Sequence, residues 1–205
     1  GSGRDIETII NEAIRKAISQ ETVVTDELIH NEIATLALGP ENKSHIIPEE
    51  LFNVIVYHEL GHAYIGKRNG KIAETVTIIP RWPSLGTAWL LDKNDNVLKE
   101  KQEILNDIQE LVAWRQAERI FCNTETTWAS NDYERAKRIA LAYLTVYNFD
   151  YQVSEVETYR FYAATQQIEN LPQEMQKEVH KVAAKIIEDQ ENIVYEVLKN
   201  HKDKI

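Results

Sequence analysis

The five-residue motif His58-Glu59-Leu60-Gly61-His62 constrains this chain more than any other feature. In a helix, residues four apart lie on the same face, so the two imidazoles can converge on one metal ion. Two neutral imidazoles suit zinc, and a catalytic zinc keeps three protein ligands and one open position. Glu59, about 100° further round the helix, can reach a water molecule beside the metal. The motif therefore predicts one zinc ion per chain, with Glu59 as the catalytic base.

The flanking residues favour a buried helix over residues 48–70. Pro48 suits the first turn, Lys67 and Arg68 complement the C-terminal dipole, and Gly70 provides a stop. A glycine such as Gly61 lowers helix stability by about 1 kcal/mol relative to alanine. Its presence in the middle of the predicted helix therefore suggests that another backbone approaches the helix there. The alternative interpretation is a buried helix whose histidines make only structural hydrogen bonds.

Composition limits the partners and the compartment. The 205 residues carry a net charge of −10, which argues against nucleic acid or an anionic membrane as the main partner. The single cysteine, Cys122, excludes an internal disulfide framework and fits a reducing, cytoplasmic-side compartment. No apolar run approaches the roughly 20 residues that span a bilayer, so we expect this chain to be soluble. Residues 1–3 resemble an expression-tag remnant, and a membrane anchor would belong to a longer natural protein.

Hydrophobic periodicity predicts a mainly α-helical fold with a small β element. The turn-forming residues 39–44 mark a domain boundary, with a helical hairpin at 4–40 and a second domain at 41–205. The predicted strands cover residues 74–80 and 87–91. The predicted helices cover residues 5–19, 25–38, 48–70, 98–122, 131–147, 151–169 and a long segment that begins at Pro172.

The motif leaves the third metal ligand undetermined. The extended pattern His-Glu-x-x-His-x-x-Gly-x-x-His fails, because its glycine and last histidine would fall on Ile65 and Arg68. Asp132 is an acid at the predicted start of a helix, after a polar loop that can bring it to the site. Residue chemistry alone still leaves the choice open. The candidates are His30, His45, His180, Glu110, Glu118 and Asp132.

Several segments resemble the protease domain of FtsH-type AAA metalloproteases, peptidase family M41. The matching segments are GPENKS at 39–44, HELGHA at 58–63, VTIIPR at 76–81, LG at 85–86, RQAE at 115–118 and SNDYERA at 130–136. Their order and spacing also agree with the family. The family's third zinc ligand is an aspartate in an Asn-Asp-x-x-x-Ala context, which falls on Asp132. The resemblance implies a helical zinc peptidase domain with His58, His62 and Asp132 as ligands and Glu59 as the base.

The resemblance covers nearly the whole chain. Residues up to about 40 look like the end of an AAA lid subdomain, which implies an ATPase module in a longer natural protein and a homo-oligomer, hexameric in the family. The long apolar stripe from Met175 to Val197 also suggests self-association. Two departures stand out: Ala113-Trp114 replaces the usual Gly-Gly pair, and residues 123–130 replace a glycine-rich loop. No segment resembles a phosphate-binding loop.

The sequence therefore predicts a zinc-dependent metalloendopeptidase that acts on unfolded proteins or flexible peptides. Substrate would lie extended and add to the edge of a strand through backbone hydrogen bonds, a mode that tolerates many sequences. The alternative is a catalytically inactive scaffold or adaptor that keeps a structural metal site, although an intact Glu59 counts against it. The predicted substrate-binding strand consists of Thr87, Ala88, Trp89, Leu90 and Leu91.

Overall fold

The computed structural model describes residues 2–44, 46–81, 85–92, 98–127, 130–149 and 168–205. These ranges are mainly helical with one small sheet, as predicted. None of the helices in the described part of the chain combines the length and apolarity that a bilayer span requires. The predicted helix at 151–169 lies outside the described residues except for its last two positions. The helices are α1 Gly3–Ser19, α2 Asp26–Leu38, α3 Glu49–Arg68, α4 Lys101–Ala117, α5 Ser130–Thr145 and α6 Gln173–Asn200, and the strands are β1 Ile72–Thr77 and β2 Thr87–Leu91.

The chain divides into two compact units. One consists of Gly1–Pro48 with Ile78–Gly86, and the other of Glu49–Thr77 with Thr87–Ile205. The first unit contains α1 and α2, and the second contains every other named helix and both strands. The boundary between residues 40 and 41 stays a prediction.

The first unit contains the two helices of the predicted hairpin, α1 and α2. The Ser2 and Thr25 side chains cap α1 and α2 by accepting hydrogen bonds from backbone N–H groups of the first turns. Ala13 and Ala17 of α1 are buried, whereas the isoleucines of the same helix stay partly exposed. After α2, the buried Arg81 guanidinium donates to the Gly39 carbonyl. Side-chain caps therefore stabilise the start of each helix, and the Arg81 hydrogen bond stabilises the end of α2.

Helix α4 is the centre of the second unit, in contact with α3, α5 and α6. Ile108 and Ala113 of α4 are fully buried, and they join one core with residues from all three neighbours. Most of the apolar stripe of α6 lies in this same core, including Val179 and Ile186. The stripe therefore stabilises this chain internally, and our argument from it for self-association is wrong.

Helices α3 and α4 approach each other closely at Gly61. A Cβ atom at Gly61 would lie 2.9 Å from the Ala117 Cβ and 3.0 Å from the Ala113 carbonyl oxygen. The expectation that another backbone passes this glycine is therefore confirmed, and it explains why a residue of low helix propensity occupies the middle of α3.

The sheet is a two-stranded antiparallel ladder that packs on α3. Val76 pairs with Ala88 and Thr77 with Thr87, while an irregularity interrupts the register between Ala73 and Thr75. Strand β2 has the predicted bounds. Strand β1 runs from Ile72 to Thr77 instead of 74–80, because its partner β2 begins opposite Thr77. A two-stranded sheet is marginal alone, and the contact of α3 with both strands supplies the missing packing.

We predict that Gly61→Ala lowers the free energy of unfolding, although alanine is the better helix former. The new methyl group would overlap atoms of α4, and overpacking costs about 1 to 3 kcal/mol against about 1 kcal/mol gained in propensity. We expect a net loss of about 1 kcal/mol in urea unfolding. Gly66→Ala is the comparison in the same helix, since the three atoms nearest its methyl would all belong to the Leu90 side chain and not to the backbone of α4. A Gly61→Ala variant more stable than the parent chain would contradict the close contact.

Candidate metal centre

The two motif histidines lie on one face of α3. Each is oriented by a hydrogen-bond acceptor, one in α4 and the other at the residue that follows α4. Their ring centroids are 5.1 Å apart. His58 Nδ1 lies 2.9 Å from Glu118 Oε1, and His62 Nδ1 lies 2.7 Å from the Glu110 carbonyl oxygen. Carboxylate and carbonyl oxygens accept hydrogen bonds, so each Nδ1 carries the proton. Both Nε2 atoms are left to bind a metal ion.

Asp132 joins the two histidines from the first turn of α5. Its Oδ2 lies 3.7 Å from His62 Nε2, and its Oδ1 lies 3.5 Å from an Arg135 guanidinium nitrogen. One ligand atom from each of His58, His62 and Asp132 lies within 4.8 Å of the other two. This is the one such group of His, Cys, Asp or Glu side chains in the described ranges.

The donor set fits zinc. Two imidazole nitrogens and one carboxylate oxygen are ligands that a catalytic zinc site uses, with a fourth position open for water or substrate. Each histidine already donates its Nδ1 proton, the outer hydrogen bond that holds such ligands in place. The arrangement can therefore hold one zinc ion.

The other candidates for the third ligand have different surroundings. The Glu110 carboxylate binds Lys71 Nζ at 2.7 Å, and Glu118 faces the Nδ1 side of His58. His180 is exposed on α6, and His30 belongs to the first unit. His45 lies outside the described residues. The described chain therefore brings only Asp132, among these candidates, to the two histidines.

Glu59 is a buried carboxyl beside this group, with 4% of its surface exposed. Burial raises the pKa of Glu59 to about 7, although the charge at His62 and a hydrogen bond from the Ala88 backbone N–H oppose that rise. Such a group exchanges a proton at small cost near neutral pH, as a general base must. A cation held by the three ligands would lower the pKa again, because opposite charge favours the carboxylate.

Burial and charge act in opposite directions on the two histidines. Burial lowers the pKa of His58, which keeps its imidazole neutral and therefore able to bind a metal. Burial also disfavours a charged His62, but the hydrogen bond and the charge of Asp132, together with the charge of Glu59 and the Glu110 carbonyl, outweigh it and raise the pKa of His62. Asp132 therefore supplies negative charge at the point where a cation would bind.

Sequence reasoning considered Glu118 only as a ligand, and the structure gives it another position. Residues Glu118–Cys122 form a π-helical turn that continues α4. Glu118 is completely buried there, with its carboxylate on His58. The available signal was an acid in an apolar helical segment beside Trp114 and Ile120, because a charge in that setting needs a hydrogen-bonded partner. The π turn itself has no comparable sequence signal.

Trp114 occupies the position where the resemblance leads one to expect a glycine. Its ring stacks on His58, with centroids 5.3 Å apart and an angle of 24° between the planes, and only 3% of its surface is exposed. Arg115 lies over the rings of both Trp114 and Tyr133, and it pairs with Glu191 of α6 at 3.0 Å. The Trp114 side chain therefore covers one face of the His58 ring.

Comparison with known proteins identifies the family. A model of peptidase family M41 matches residues 45–205. The chain belongs to peptidase family M41. It is 31% identical, over its whole length, to the ATP-dependent zinc metalloprotease FtsH of Cupriavidus metallidurans. It is also 31% identical to FtsH 1 of a Thermoanaerobacter species over its whole length, and 38% identical to FtsH 3 of Petrotoga mobilis over 67% of its length.

These relatives are much longer than this chain. It spans 32% of the Cupriavidus protein, 35% of the Thermoanaerobacter protein and 22% of the Petrotoga protein. All three carry the same description, ATP-dependent zinc metalloprotease. Zinc is therefore the metal that both the family and the His-His-Asp group indicate.

We predict that Asp132→Ala weakens zinc binding by more than about 100-fold, because loss of an outer hydrogen-bond partner alone costs 10- to 100-fold. Competition against a chromophoric chelator measures the affinity. Glu134→Ala is the matched control, since Glu134 is an exposed acid in the same turn of α5. Unchanged zinc affinity in Asp132→Ala would assign the third ligand to another residue.

Proposed function

We propose that this chain is the peptidase part of a longer FtsH-like protein and that it hydrolyses peptide bonds in unfolded or flexible proteins. His58, His62 and Asp132 would hold one zinc ion, and Glu59 would be the catalytic residue that moves protons. The supporting observation is the convergence of three ligand atoms within 4.8 Å beside a buried carboxyl, in a chain of family M41.

The chemistry divides between the metal and Glu59. A zinc ion held by His58, His62 and Asp132 would supply Lewis acidity to the scissile carbonyl and to the attacking water. A Glu59 carboxylate oxygen takes a proton from the attacking water and returns it to the nitrogen of the leaving amine. Burial of Glu59 excludes bulk water from this exchange, and the Ala88 N–H holds its carboxylate in place.

We infer that substrate lies extended along β2. The hydrogen bond from Ala88 to Glu59 brings this strand next to the proposed base. Within the described ranges β2 pairs with β1, so a substrate strand would add along the opposite edge. Leu90 packs against Gly66 of α3, which fixes the strand on the helix that carries the histidines. Backbone pairing of this kind accepts many sequences, as a protease for unfolded proteins requires.

The remaining proposals concern parts of the protein beyond these residues. An ATPase module is proposed because relatives described as ATP-dependent are about three times longer than this chain. A hexameric ring, a membrane anchor in the natural protein and a position of this chain on the cytoplasmic side are proposed from the resemblance to FtsH-type proteins. Mass photometry of the full-length natural protein would test the assembly, and a mass that corresponds to a single subunit would contradict it.

We predict that Glu59→Gln keeps its zinc and its fold while peptide hydrolysis falls by about 10²- to 10⁴-fold, the usual contribution of a general base. The amide has nearly the same shape but cannot accept the proton. Hydrolysis of a fluorogenic peptide and zinc content are measured on the same sample. Glu49→Gln, an exposed change in the first turn of α3, is the control.

Loss of zinc from Glu59→Gln would show that Glu59 is a ligand and would contradict the division of roles. Absence of hydrolysis in the zinc-loaded parent chain would favour the inactive scaffold.

We also predict that this chain degrades a casein-like unfolded substrate but not a stable folded domain without loose tails, with or without ATP. Strand addition needs free backbone groups, and a folded domain has already paired its own. Opening such a domain costs about 5 to 15 kcal/mol. Rapid, ATP-stimulated cleavage of the folded domain would contradict the proposal.

A further inference from the structure

The loop that precedes α5 is tied to the metal centre through Thr126. The Thr126 backbone N–H donates to Glu118 Oε2 at 2.8 Å, and its hydroxyl donates to Glu118 Oε1 at 3.1 Å. Glu118 Oε1 also accepts from His58 Nδ1 at 2.9 Å. One carboxylate therefore joins the first histidine of α3 to the loop that leads to Asp132, six residues after Thr126.

Glu118 depends on these donors because it is completely buried. A buried carboxylate is costly unless hydrogen bonds satisfy its oxygens. In the described residues the Glu118 carboxylate accepts three hydrogen bonds, and Thr126 donates two of them. If the loop left its position, His58 would face a carboxylate with one remaining donor, and the entry to α5, which carries Asp132, would lose this contact with Glu118.

We propose that Thr126 is a positioning residue of the metal centre, which couples the orientation of His58 to the delivery of Asp132. Docking Thr126 on Glu118 fixes the carboxylate that orients His58 and fixes the loop that enters α5, whose first turn carries Asp132. The inference rests on the ligand set in the proposed function, but it does not depend on proteolysis.

The test compares three substitutions in the loop. Thr126→Val removes the hydroxyl while it keeps the β-branched shape and the backbone N–H. Thr126→Ser keeps the hydroxyl, and Thr127→Val makes the same change at the next residue, which is exposed. Zinc affinity is measured by chelator competition. We expect a fall of about tenfold for Thr126→Val, the lower end for outer-shell partners, and less than about twofold for the other two.

Two further measurements separate positioning from a general loss of stability. Thermal unfolding with and without zinc should give a smaller zinc-induced rise in Tm for Thr126→Val than for Thr127→Val, because the defect lies in metal binding. In the parent chain, zinc should slow hydrogen exchange at the Thr126 amide, whose N–H donates to Glu118. This exchange measurement needs no substitution, so it applies even if a variant fails to fold.

A third comparison examines the route through Glu118. If Thr126 acts through this carboxylate, Thr126→Val should weaken zinc binding less in a Glu118→Gln background than in the parent chain. Equal zinc affinity in Thr126→Val and the parent, equal losses in Thr126→Val and Thr126→Ser, or additive effects with Glu118→Gln would each overturn the inference. An unchanged Thr126 exchange rate on zinc addition would overturn it too. A parent chain that binds no zinc would refute the proposed ligand set itself.

Discussion

The close contact between α3 and α4 at Gly61 is the constraint on which the metal centre depends. Without a Cβ at Gly61, the two helices lie near enough for α4 and its π-helical extension to offer acceptors to both histidines. The two helices run antiparallel, so the earlier histidine, His58, contacts the later acid, Glu118, and His62 contacts Glu110. A larger side chain at residue 61 would separate the helices and lengthen both hydrogen bonds. The glycine of the motif therefore serves the same site as its histidines, by way of helix packing.

Local patterns predicted the parts of this architecture that depend on local geometry. The spacing of His58 and His62 follows from the pitch of one helix, and the bounds of β2 follow from a short apolar run. The ends of β1 depend on where its partner begins, which its own sequence does not encode. The stripe of α6 was visible, but an apolar stripe does not reveal whether it packs in its own core or on another subunit.

The third ligand and the outer hydrogen bonds join residues that are distant in sequence. Asp132 is 70 positions beyond His62, so residue chemistry left it as one of six candidates, and the resemblance to family M41 was needed to select it. Glu118 was considered only as a candidate ligand, and its role depends on a π turn and on Thr126, which no periodicity reveals. Fold class was therefore accessible from the sequence, whereas the support around the metal required coordinates.

The most direct test of the account is anomalous diffraction at the zinc absorption edge from crystals of the zinc-loaded chain. We predict one strong peak per chain within about 2.0 to 2.2 Å of three protein atoms: Nε2 of His58, Nε2 of His62 and a carboxylate oxygen of Asp132. Glu59 should lie outside the ligand set, and both Nδ1 atoms should keep their bonds to α4 and its extension. A peak coordinated by Glu118 or Glu59, or one bound through an Nδ1 atom, would contradict it.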